Sequence, residues 1–207
     1  MIAIIDYKAG NLASVSNALD RLAASYIITN RMPDLDQADA IIFPGVGHAV
    51  SAMRDLQLNG LDAWLRETRK PVLGICLGMQ LLYESTTEGP TETLGVLPGR
   101  LTKFDASRQK VPHMGWNTVE TCPGKEHHPL LKSIPAGTHF YHVHSYFAPV
   151  TADTVATATY SHPFSAIASR GNFMGVQFHP EKSGKPGEQL LRNFLDLAYG
   201  GMRTVSA

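Results

Sequence analysis

Short runs that are apolar throughout alternate with amphipathic segments in the first part of the chain. The runs are M-I-A-I-I-D at 1–6, S-Y-I-I-T at 25–29, A-I-I-F-P-G at 40–45 and P-V-L-G-I-C at 71–76. Between the first two, leucine and valine recur at helical spacing from residue 11 to 22. Strands that are apolar on both sides are typical of a parallel sheet covered by helices. We therefore predict an α/β fold with a mostly parallel central sheet flanked by helices.

The second half of the chain has a different texture. Its apolar segments are short, rich in β-branched and aromatic residues and separated by glycine, proline, asparagine and aspartate. They read L-G-V-L-P-G at 94–99, H-F-Y-H-V-H-S-Y-F at 139–147, T-V-A-T-A-T-Y at 154–160 and F-M-G-V-Q-F-H at 173–179. We predict antiparallel hairpins added to the parallel sheet, then a closing helix from Gly187 to Ala198. Without repeats or a linker, residues 1–207 are expected to form one domain.

Composition narrows the function classes. Lysine plus arginine and aspartate plus glutamate each number 18, so the chain has no excess positive charge with which to bind a nucleic acid. No apolar run is long enough to cross a bilayer, and no cationic leader precedes a cleavage site. The two cysteines, Cys76 and Cys122, are too few for a disulfide framework. We expect a cytoplasmic protein that binds neither nucleic acid nor membrane.

The sequence G-I-C-L-G at 74–78 sits where a buried strand gives way to a helix. A residue at such a sharp turn projects above the sheet edge, and small neighbours are needed because the backbone is crowded there. The Cys76 thiol would then lie at a helix N-terminus, which favours the nucleophilic thiolate, with the Leu77 amide positioned for an oxyanion. Free cysteine is also among the most buried residue types, so a packed, inert thiol fits this stretch equally well.

The sequence G-V-Q-F-H-P-E at 175–181 offers a base and a group to orient it. His179 follows an apolar strand, and Glu181 faces the same side if the chain stays extended, which Pro180 favours. Alone, this stretch would be a strand end with two solvated side chains. Together with the cysteine turn, it predicts a Cys76–His179–Glu181 triad.

Two further stretches fit a site around Cys76. The glycines of P-G-V-G at 44–47 allow a peptide N–H of Val46 or Gly47 to turn toward an oxyanion. A dinucleotide fingerprint is excluded there because a valine stands where its third glycine belongs. Gln80 lies four residues after Cys76, on the same helical face, where it either recognises a polar substrate or remains a helix-surface residue.

Histidine spacing raises metal binding as a rival function. His142 and His144 share one face of a strand, a spacing used by zinc sites, and His113 would be a third ligand. Isolated His-x-His pairs occur by chance, and Cys76 lies in a different sequence context. We therefore expect no metal and no cofactor.

The motifs G-I-C-L-G-M-Q and G-V-Q-F-H-P-E together resemble those of the class I, or triad, glutamine amidotransferases, over nearly the whole chain. P-G-V-G-H-A, V-P-H-M-G-W-N at 111–117 and H-P-E-K-S-G at 179–184 resemble more narrowly the glutaminase subunits of imidazole glycerol phosphate synthases, which serve histidine biosynthesis. Another triad amidotransferase, of the anthranilate or aminodeoxychorismate type, and a non-catalytic subunit with the same fold are the alternatives. P-H-M-G-W-N argues against the first of these.

The resemblance implies a mechanism and a set of substrate contacts. Cys76 would attack the glutamine side-chain amide, His179 would pass the proton to ammonia, and Glu181 would stabilise the imidazolium. The backbone of Leu77 and of Val46 or Gly47 would hold the oxyanion. The P-G-V-G segment would need a peptide rearrangement before it can donate, so the isolated subunit is expected to be nearly inactive. The positions matching those that hold glutamine are Gly47, Gln80, Glu88, Ser145 and Tyr146.

The resemblance also implies a partner. Ammonia would pass through a cyclase subunit with a β/α barrel fold, which docks over the site to form a heterodimer. With this ammonia, the cyclase would convert a phosphoribulosyl aminoimidazole substrate into imidazole glycerol phosphate and aminoimidazole carboxamide ribotide. The interface residues implied are His113, Met114, Trp116, Asn117, Tyr141 and Lys182. One departure is His142, where relatives often carry an apolar residue.

Overall fold

A nine-stranded mixed sheet forms the centre of the molecule. The computed structural model describes residues 1–7 and 11–200. The predicted domain over 1–207 also includes residues 8–10 and 201–207, which lie outside the described residues. The strands of the large sheet are β1 (Ile2–Ile5), β2 (Tyr26–Thr29), β3 (Ala40–Gly45), β4 (Val72–Cys76), β8 (His113–Thr121), β9 (Thr138–His144), β11 (Thr154–Tyr160), β12 (His162–Arg170) and β13 (Phe173–Val176). A smaller four-stranded sheet contains β5 (Ser85–Thr86), β6 (Thr91–Glu92), β7 (Arg100–Lys103) and β10 (Tyr146–Phe147).

The order of the large sheet is β2-β1-β3-β4-β13-β12-β11-β8-β9. The first five strands in this order, β2, β1, β3, β4 and β13, are parallel to one another. The last four, β12, β11, β8 and β9, continue the sheet through antiparallel pairs. The helices are α1 (Leu12–Arg21), α2 (Met32–Gln37), α3 (Ala49–Leu58), α4 (Leu61–Glu67), α5 (Leu77–Leu81) and α6 (Gly184–Gly200), with 3-10 turns at Pro129–Leu131 and Pro180–Lys182. None of the helices described has the length and apolar character needed to cross a membrane.

Helices cover both faces of the parallel half. Leu19 of α1 and Phe194 of α6 belong to the buried cluster on one face, and Leu56 of α3 belongs to the cluster on the other. Successive strand residues supply opposite clusters: Ile4 points to the first and Ile5 to the second. Burying such a side chain contributes about 1.5–3 kcal/mol, which is why these runs are apolar at every position.

Most of the predicted elements are present. The helix predicted from residue 11 begins at Leu12, with the Asn11 side chain accepting a hydrogen bond from the Ser14 amide at 3.4 Å. Gly60 separates α3 from α4, where its φ of 68° is a conformation that glycine adopts without strain. The last helix begins at Gly184, three residues before the predicted start at Gly187. Gly187 lies inside that helix instead of starting it. Only glycine fits there, because a Cβ would lie 1.9 Å from the Pro180 carbonyl oxygen.

The prediction of a β segment at 94–99 is wrong. In L-G-V-L-P-G the amides turn back onto α5 instead of pairing with a strand. Leu94 donates to the Leu81 carbonyl at 2.9 Å, and Leu97 donates to the Leu82 carbonyl at 2.8 Å. This loop satisfies the free carbonyls at the end of a short helix, a requirement that apolar patterning does not reveal.

The segment 173–179 is not a purely antiparallel addition either. Its strand, β13, is antiparallel to β12 but parallel to β4, with Val176 opposite Ile75. The carboxyl ends of β4 and β13 therefore meet at the same edge of the sheet. This pairing brings His179 to the strand end at which Cys76 lies.

Candidate active site

Cys76 occupies a strained turn between β4 and α5. Its φ and ψ are 53° and −110°, a region that residues with a side chain rarely adopt. Backbone segments approach this turn closely, so the residues two positions on either side of Cys76 must be small. A Cβ on Gly78 would lie 1.8 Å from the Phe43 carbonyl oxygen, and one on Gly74 would lie 2.7 Å from the Met79 nitrogen. The two glycines of G-I-C-L-G thus keep the turn free of clashes.

The thiol has two polar neighbours besides His179. The Cys76 Sγ donates to the Val143 carbonyl oxygen at 3.7 Å and accepts from the Gln177 Nε2 at 3.9 Å. Cys76 and Cys122 are both free thiols. Although Cys76 is only 6% exposed, it lines a cavity, so it is reachable by a small substrate and is not enclosed in the core.

The predicted base and its orienting carboxylate are in contact. The His179 Nδ1 lies 2.8 Å from the Glu181 Oε1, and both side chains are buried. The extended path that we predicted between them is wrong, because Pro180–Lys182 forms a 3-10 turn. Pro180 stands at the first position of this turn, where its missing N–H costs nothing and its fixed φ suits the turn. The turn brings the carboxylate back to the imidazole.

The backbone of His179 is also fixed. Its amide donates to the Tyr141 carbonyl at 2.9 Å, and its carbonyl accepts from the Ser183 hydroxyl at 2.7 Å. That hydroxyl in turn accepts from the Tyr141 amide at 3.0 Å. These bonds tie the 3-10 turn to β9, so the imidazole is held from two directions.

The charge state of His179 follows from its neighbours. Burial lowers the pKa of His179, but hydrogen bonds and charge interactions with Cys76 and Glu181 raise it more, to about 10. At neutral pH this makes His179 an imidazolium, with a proton to donate beside the sulfur. The three groups are therefore arranged to activate a sulfur nucleophile and to move one proton.

A cavity of about 360 Å³ opens beside this triad. Cys76 and His179 line it, together with all of the residues predicted to bind substrate or an oxyanion. These are Val46, Gly47, Leu77, Gln80, Glu88, Ser145 and Tyr146. The structure thus brings residues as far apart in the chain as Val46 and His179, 133 positions, around one cavity.

Gln80 has a fixed amide orientation. Its Nε2 donates to the Tyr146 carbonyl and to the Gln177 Oε1, both at 3.0 Å. Both donor hydrogens are thereby used inside the protein, which leaves the Gln80 oxygen as the group with free hydrogen-bonding capacity. Gln80 is thus a buried wall residue of the cavity and not a helix-surface residue.

Glu88 also has a structural bond in the cavity wall. Its carboxylate accepts from the Ala49 amide at 2.8 Å, at the start of α3, and lies 3.0 Å from the His48 Nδ1. Charge from Glu88 contributes, after burial, to raising the pKa of Tyr146. The carboxylate therefore lies within electrostatic reach of a bound substrate at the Tyr146 side of the cavity.

The P-G-V-G segment forms the opposite wall. Tyr7 anchors it by donating from its hydroxyl to the Pro44 carbonyl at 2.7 Å, and burial followed by the charge of Cys76 raises the Tyr7 pKa. Beyond this anchor, Val46 is exposed and Gly47 has a φ of 98°, with no atom within 4 Å of a Cβ built there. The fixed part of the segment thus ends immediately before the two residues predicted to donate to an oxyanion.

The predicted partner-facing residues do not all lie on the surface. Met114 and Trp116 are 62% and 57% exposed, and Lys182 is also exposed. Trp116 packs edge-on against Tyr141 at 5.9 Å between ring centroids. His113 is different: its side chain is 4% exposed, because strand alternation on β8 sends it inward while its even-numbered neighbours point outward. Asn117 is half-buried.

His113 instead lies beside His142 and His144. All three side chains are buried, and one ring nitrogen of each lies within 4.8 Å of the others. We call this group the three-histidine cluster. The sequence spacing identified its members, but only the pairing of β8 with β9 brings them together.

Gln177 is the residue of this site that the sequence interpretation missed. It is fully buried, contacts the Cys76 sulfur and accepts the bond from Gln80. A polar residue in the otherwise apolar G-V-Q-F stretch was the available signal, because a buried amide needs partners. The Val143 carbonyl at the thiol carries no such signal, since every residue has a carbonyl.

Comparison with known proteins adds independent information. The model of the family "Glutamine amidotransferase class-I" matches residues 3–198. A protein of Halalkalibacterium halodurans is 46% identical over 98% of this chain and 99% of its own. Proteins of Bacteroides fragilis and Methanosarcina acetivorans are 44% and 46% identical over 95% of this chain, and over 99% and 98% of their own lengths. All three bear the name imidazole glycerol phosphate synthase subunit HisH.

Solved structures agree on the fold. A crystal structure of a glutamine amidotransferase has a TM-score of 0.73 at 18% identity, covering 96% of this chain and 99% of its own. The structure of PurLQS from Thermotoga maritima has a TM-score of 0.67 at 20% identity, covering 95% of this chain and 97% of the chain it matches. At these identities the likeness concerns the fold alone. With the family model and the relatives matched along almost their whole lengths, the chain belongs to the class-I glutamine amidotransferase family.

Proposed function

We propose that this chain is the glutaminase subunit of an imidazole glycerol phosphate synthase, acting in histidine biosynthesis in the cytoplasm. The observation that carries the proposal is the meeting of the strained Cys76 with the His179–Glu181 pair at one cavity. The name shared by relatives of 44–46% identity supports the choice of synthase within the family.

The first half of the reaction forms a thioester. The Cys76 thiolate attacks the side-chain carbonyl carbon of glutamine, and the carbonyl π electrons move to oxygen, giving a tetrahedral oxyanion. The backbone N–H of Leu77 and that of Val46 or Gly47 stabilise this oxyanion. The His179 imidazolium donates its proton to the amide nitrogen, the carbon–nitrogen bond breaks, and ammonia leaves.

The second half releases glutamate. The now neutral His179 removes a proton from water, and the resulting hydroxide attacks the thioester carbon. Collapse of this second oxyanion expels the Cys76 thiolate and restores the imidazolium–thiolate pair. The hydrogen bond and charge of Glu181 favour the imidazolium, since they contribute, after those of Cys76, to raising the pKa of His179.

Gly47, Gln80, Glu88, Ser145 and Tyr146 hold the glutamine. The cavity offers acceptors in the Gln80 oxygen and the Glu88 carboxylate, which suit the amino groups of the substrate. Gly47 fits the proposal because a side chain there would be strained at its φ of 98° and would stand at the cavity mouth.

Ammonia released into water would be protonated and lost as a nucleophile, so the activity needs a partner. We propose a cyclase subunit with a β/α barrel fold, which forms a heterodimer with this chain and uses the ammonia to make imidazole glycerol phosphate and aminoimidazole carboxamide ribotide. Exposed apolar groups around the cavity, Met114 and Trp116, with Tyr141, Asn117 and Lys182 beside them, suit such a docking surface.

The test is glutamate release by the chain alone and with its cyclase. We expect a large increase in glutamate release with the partner. Val46 and Gly47 lie beyond the anchored part of P-G-V-G, and the bound partner would orient a peptide N–H of these residues toward the oxyanion. Cys76→Ala should abolish glutamine-dependent turnover of the complex while added ammonia still supports the cyclase. Glutaminase activity that survives this substitution would show that Cys76 is not the nucleophile.

A further inference from the structure

The three-histidine cluster lies in the wall between the cavity and the antiparallel part of the sheet. His113 of β8 stands directly opposite His144 of β9 in the strand register, and His142 precedes His144 by two residues on the same face. His142 is completely buried, and the other two are 4% and 6% exposed. His144 alone of the three also borders the cavity. The glutaminase mechanism proposed above uses none of these side chains.

The ring nitrogens converge at distances that suit a tetrahedral cation. The His144 Nε2 lies 3.2 Å from the His113 Nδ1 and 3.2 Å from the His142 Nδ1. Four nitrogens bound tetrahedrally at 2.0–2.1 Å from zinc stand about 3.3–3.4 Å apart from one another. These two separations are therefore close to the edges of such a tetrahedron, and the nitrogens of His113 and His142 lie within 4.8 Å of each other.

Hydrogen bonds alone do not satisfy the cluster. The His144 Nδ1 lies 2.8 Å from the Tyr146 carbonyl, so it carries the proton, and the Nε2 has a single lone pair. Two ring nitrogens, from His113 and His142, face this one lone pair. The His142 Nε2 has no hydrogen-bond partner among the described residues. An ion would satisfy the two nitrogens that face the His144 Nε2: a hydrogen bond can pair only one of them with that lone pair, and leaving the other buried without a partner costs about 1–3 kcal/mol.

We propose that His113, His142 and His144 form a site for a divalent transition-metal ion of the Zn²⁺ type, bound through the His113 Nδ1, the His142 Nδ1 and the His144 Nε2. Three imidazoles without a carboxylate select Zn²⁺, Co²⁺ or Cu²⁺ over Mg²⁺ and Ca²⁺, which prefer oxygen. Water from the adjoining cavity would fill the fourth position. The ion would join β8, which carries Met114 and Trp116, to the end of β9 that leads into Ser145 and Tyr146.

Binding has two local costs. With the ion on its Nδ1, His142 would carry its proton on the buried Nε2, which has no hydrogen-bond partner among the described residues. The second cost arises at His113. The His113 Nε2 would carry the proton, and it faces the Asn117 amide nitrogen at 3.3 Å. That amide nitrogen also donates to the Thr159 carbonyl at 3.0 Å, and the Asn117 oxygen accepts from the Thr118 amide at 2.8 Å. The contact with His113 is the longest of the three, so it is the one that gives way on loading. Removing the opposing donor with Asn117→Ala should therefore tighten metal binding several-fold.

The test is a titration of the full-length, chelator-treated chain with Co²⁺, followed by visible absorption. We expect one equivalent to produce the intense d–d bands of tetrahedral Co²⁺, and Zn²⁺ to remove them by displacement. His142→Leu and His113→Leu should each weaken binding by roughly 10-fold or more, judged from the effect of disturbing a metal's immediate surroundings. The thermal midpoint of unfolding should rise with Zn²⁺ in the unsubstituted chain and not in His142→Leu.

Two control variants identify the ligands. His139→Leu removes an exposed histidine of the same strand and should leave the bands intact. Cys76→Ser removes the nearby thiol and should also leave them intact. Absence of tetrahedral bands in the folded chain, or their full retention in a folded His142→Leu, would overturn the site, as would their loss in Cys76→Ser. Circular dichroism establishes that each variant is folded, which we expect for His142→Leu because leucine suits its apolar surroundings.

Discussion

At the residue scale, the chemistry of the site depends on a few neighbours of each reactive group. The pKa of His179 is about 10 because Cys76 and Glu181 outweigh the effect of burial. The thiol also contacts Gln177 and the Val143 carbonyl, neither of which carries a charge. The charge of the His179 imidazole is therefore set by its buried neighbours, Cys76 and the Glu181 carboxylate.

Glu181→Gln should lower the pKa of His179. A neutral amide of the same shape removes the negative charge that helps to raise this pKa, so the imidazolium will lose its proton at a lower pH. We expect NMR titration of the His179 ring to show the shift. Turnover of the complex should fall less than in His179→Ala, because orientation is secondary to proton transfer.

The same substitution has a consequence for stability. A histidine whose folded pKa is raised contributes stability that is complete below its unfolded pKa of about 6.5 and disappears as the pH rises through the folded value, here about 10. In Glu181→Gln this loss should be complete at a lower pH. Chemical unfolding of both proteins at several pH values across this window measures the difference. Equal pH dependence in the two proteins would contradict the coupling of His179 to Glu181.

At the element scale, the sequence predicted more of the parallel half than of the rest. Runs apolar at every position, as in β1, β3 and β4, can only be buried on both faces, so their pattern nearly fixes their place. The loop at 94–99 is equally apolar, but it caps α5 through its backbone. Patterns report burial, and they do not distinguish a strand from a loop that packs on a helix end.

The placement of the candidate site was predictable to a similar extent. Cys76, His179 and Glu181 were predicted to lie together because reactive side chains stand out at strand ends, and the structure brings them together, while their catalytic roles stay a prediction. Gln177 was not predicted, because its role depends on the pairing of β13 with β4, which brings its amide to the sulfur. The turn at Pro180 was missed because proline fits both an extended chain and the start of a 3-10 turn.

Gly78→Ala tests the close approach beneath the Cys76 turn. The new Cβ would lie 1.8 Å from a backbone oxygen of β3, which cannot move without disturbing the sheet. We expect a loss of about 3 kcal/mol or more in the free energy of unfolding, at the upper end of overpacking effects, and loss of glutaminase activity. Urea unfolding and glutamate release measure the two effects.

Gly171→Ala is the matched control for this substitution. Gly171 has a φ of 58° in the turn between β12 and β13, and no atom lies within 4 Å of a Cβ built there. It should cost only the strain of a left-handed residue, about 1–2 kcal/mol, and leave activity intact. Gly78 has no positive φ, so its loss should come from the clash alone and exceed that of Gly171→Ala. A loss in Gly78→Ala no larger than that in Gly171→Ala would contradict the close approach.

At the scale of the whole molecule, strand pairing places an exposed apolar residue next to the cavity. Cys76 ends β4, His179 follows the carboxyl end of β13, and Val143 of β9 lines the same cavity. The exposed Met114 lies opposite Val143 on β8, and the exposed Trp116 lies two residues further on. A partner seated on Met114 and Trp116 would lie beside the cavity and receive what leaves it, so the pairing of β8 with β9 links the catalytic proposal to the partner proposal.

Trp116→Ala should weaken the proposed complex with the cyclase by 10-fold or more in dissociation constant. An exposed tryptophan that packs on a neighbouring tyrosine offers a large, pre-ordered apolar contact, and such residues dominate binding energies at interfaces. Tyr199→Ala is the control, because Tyr199 is an exposed aromatic residue near the far end of α6, about 22 Å along the helix from Gly184. Titration calorimetry of both variants decides between them: unchanged affinity in Trp116→Ala, or an equal loss in Tyr199→Ala, would place the docking surface elsewhere on the molecule.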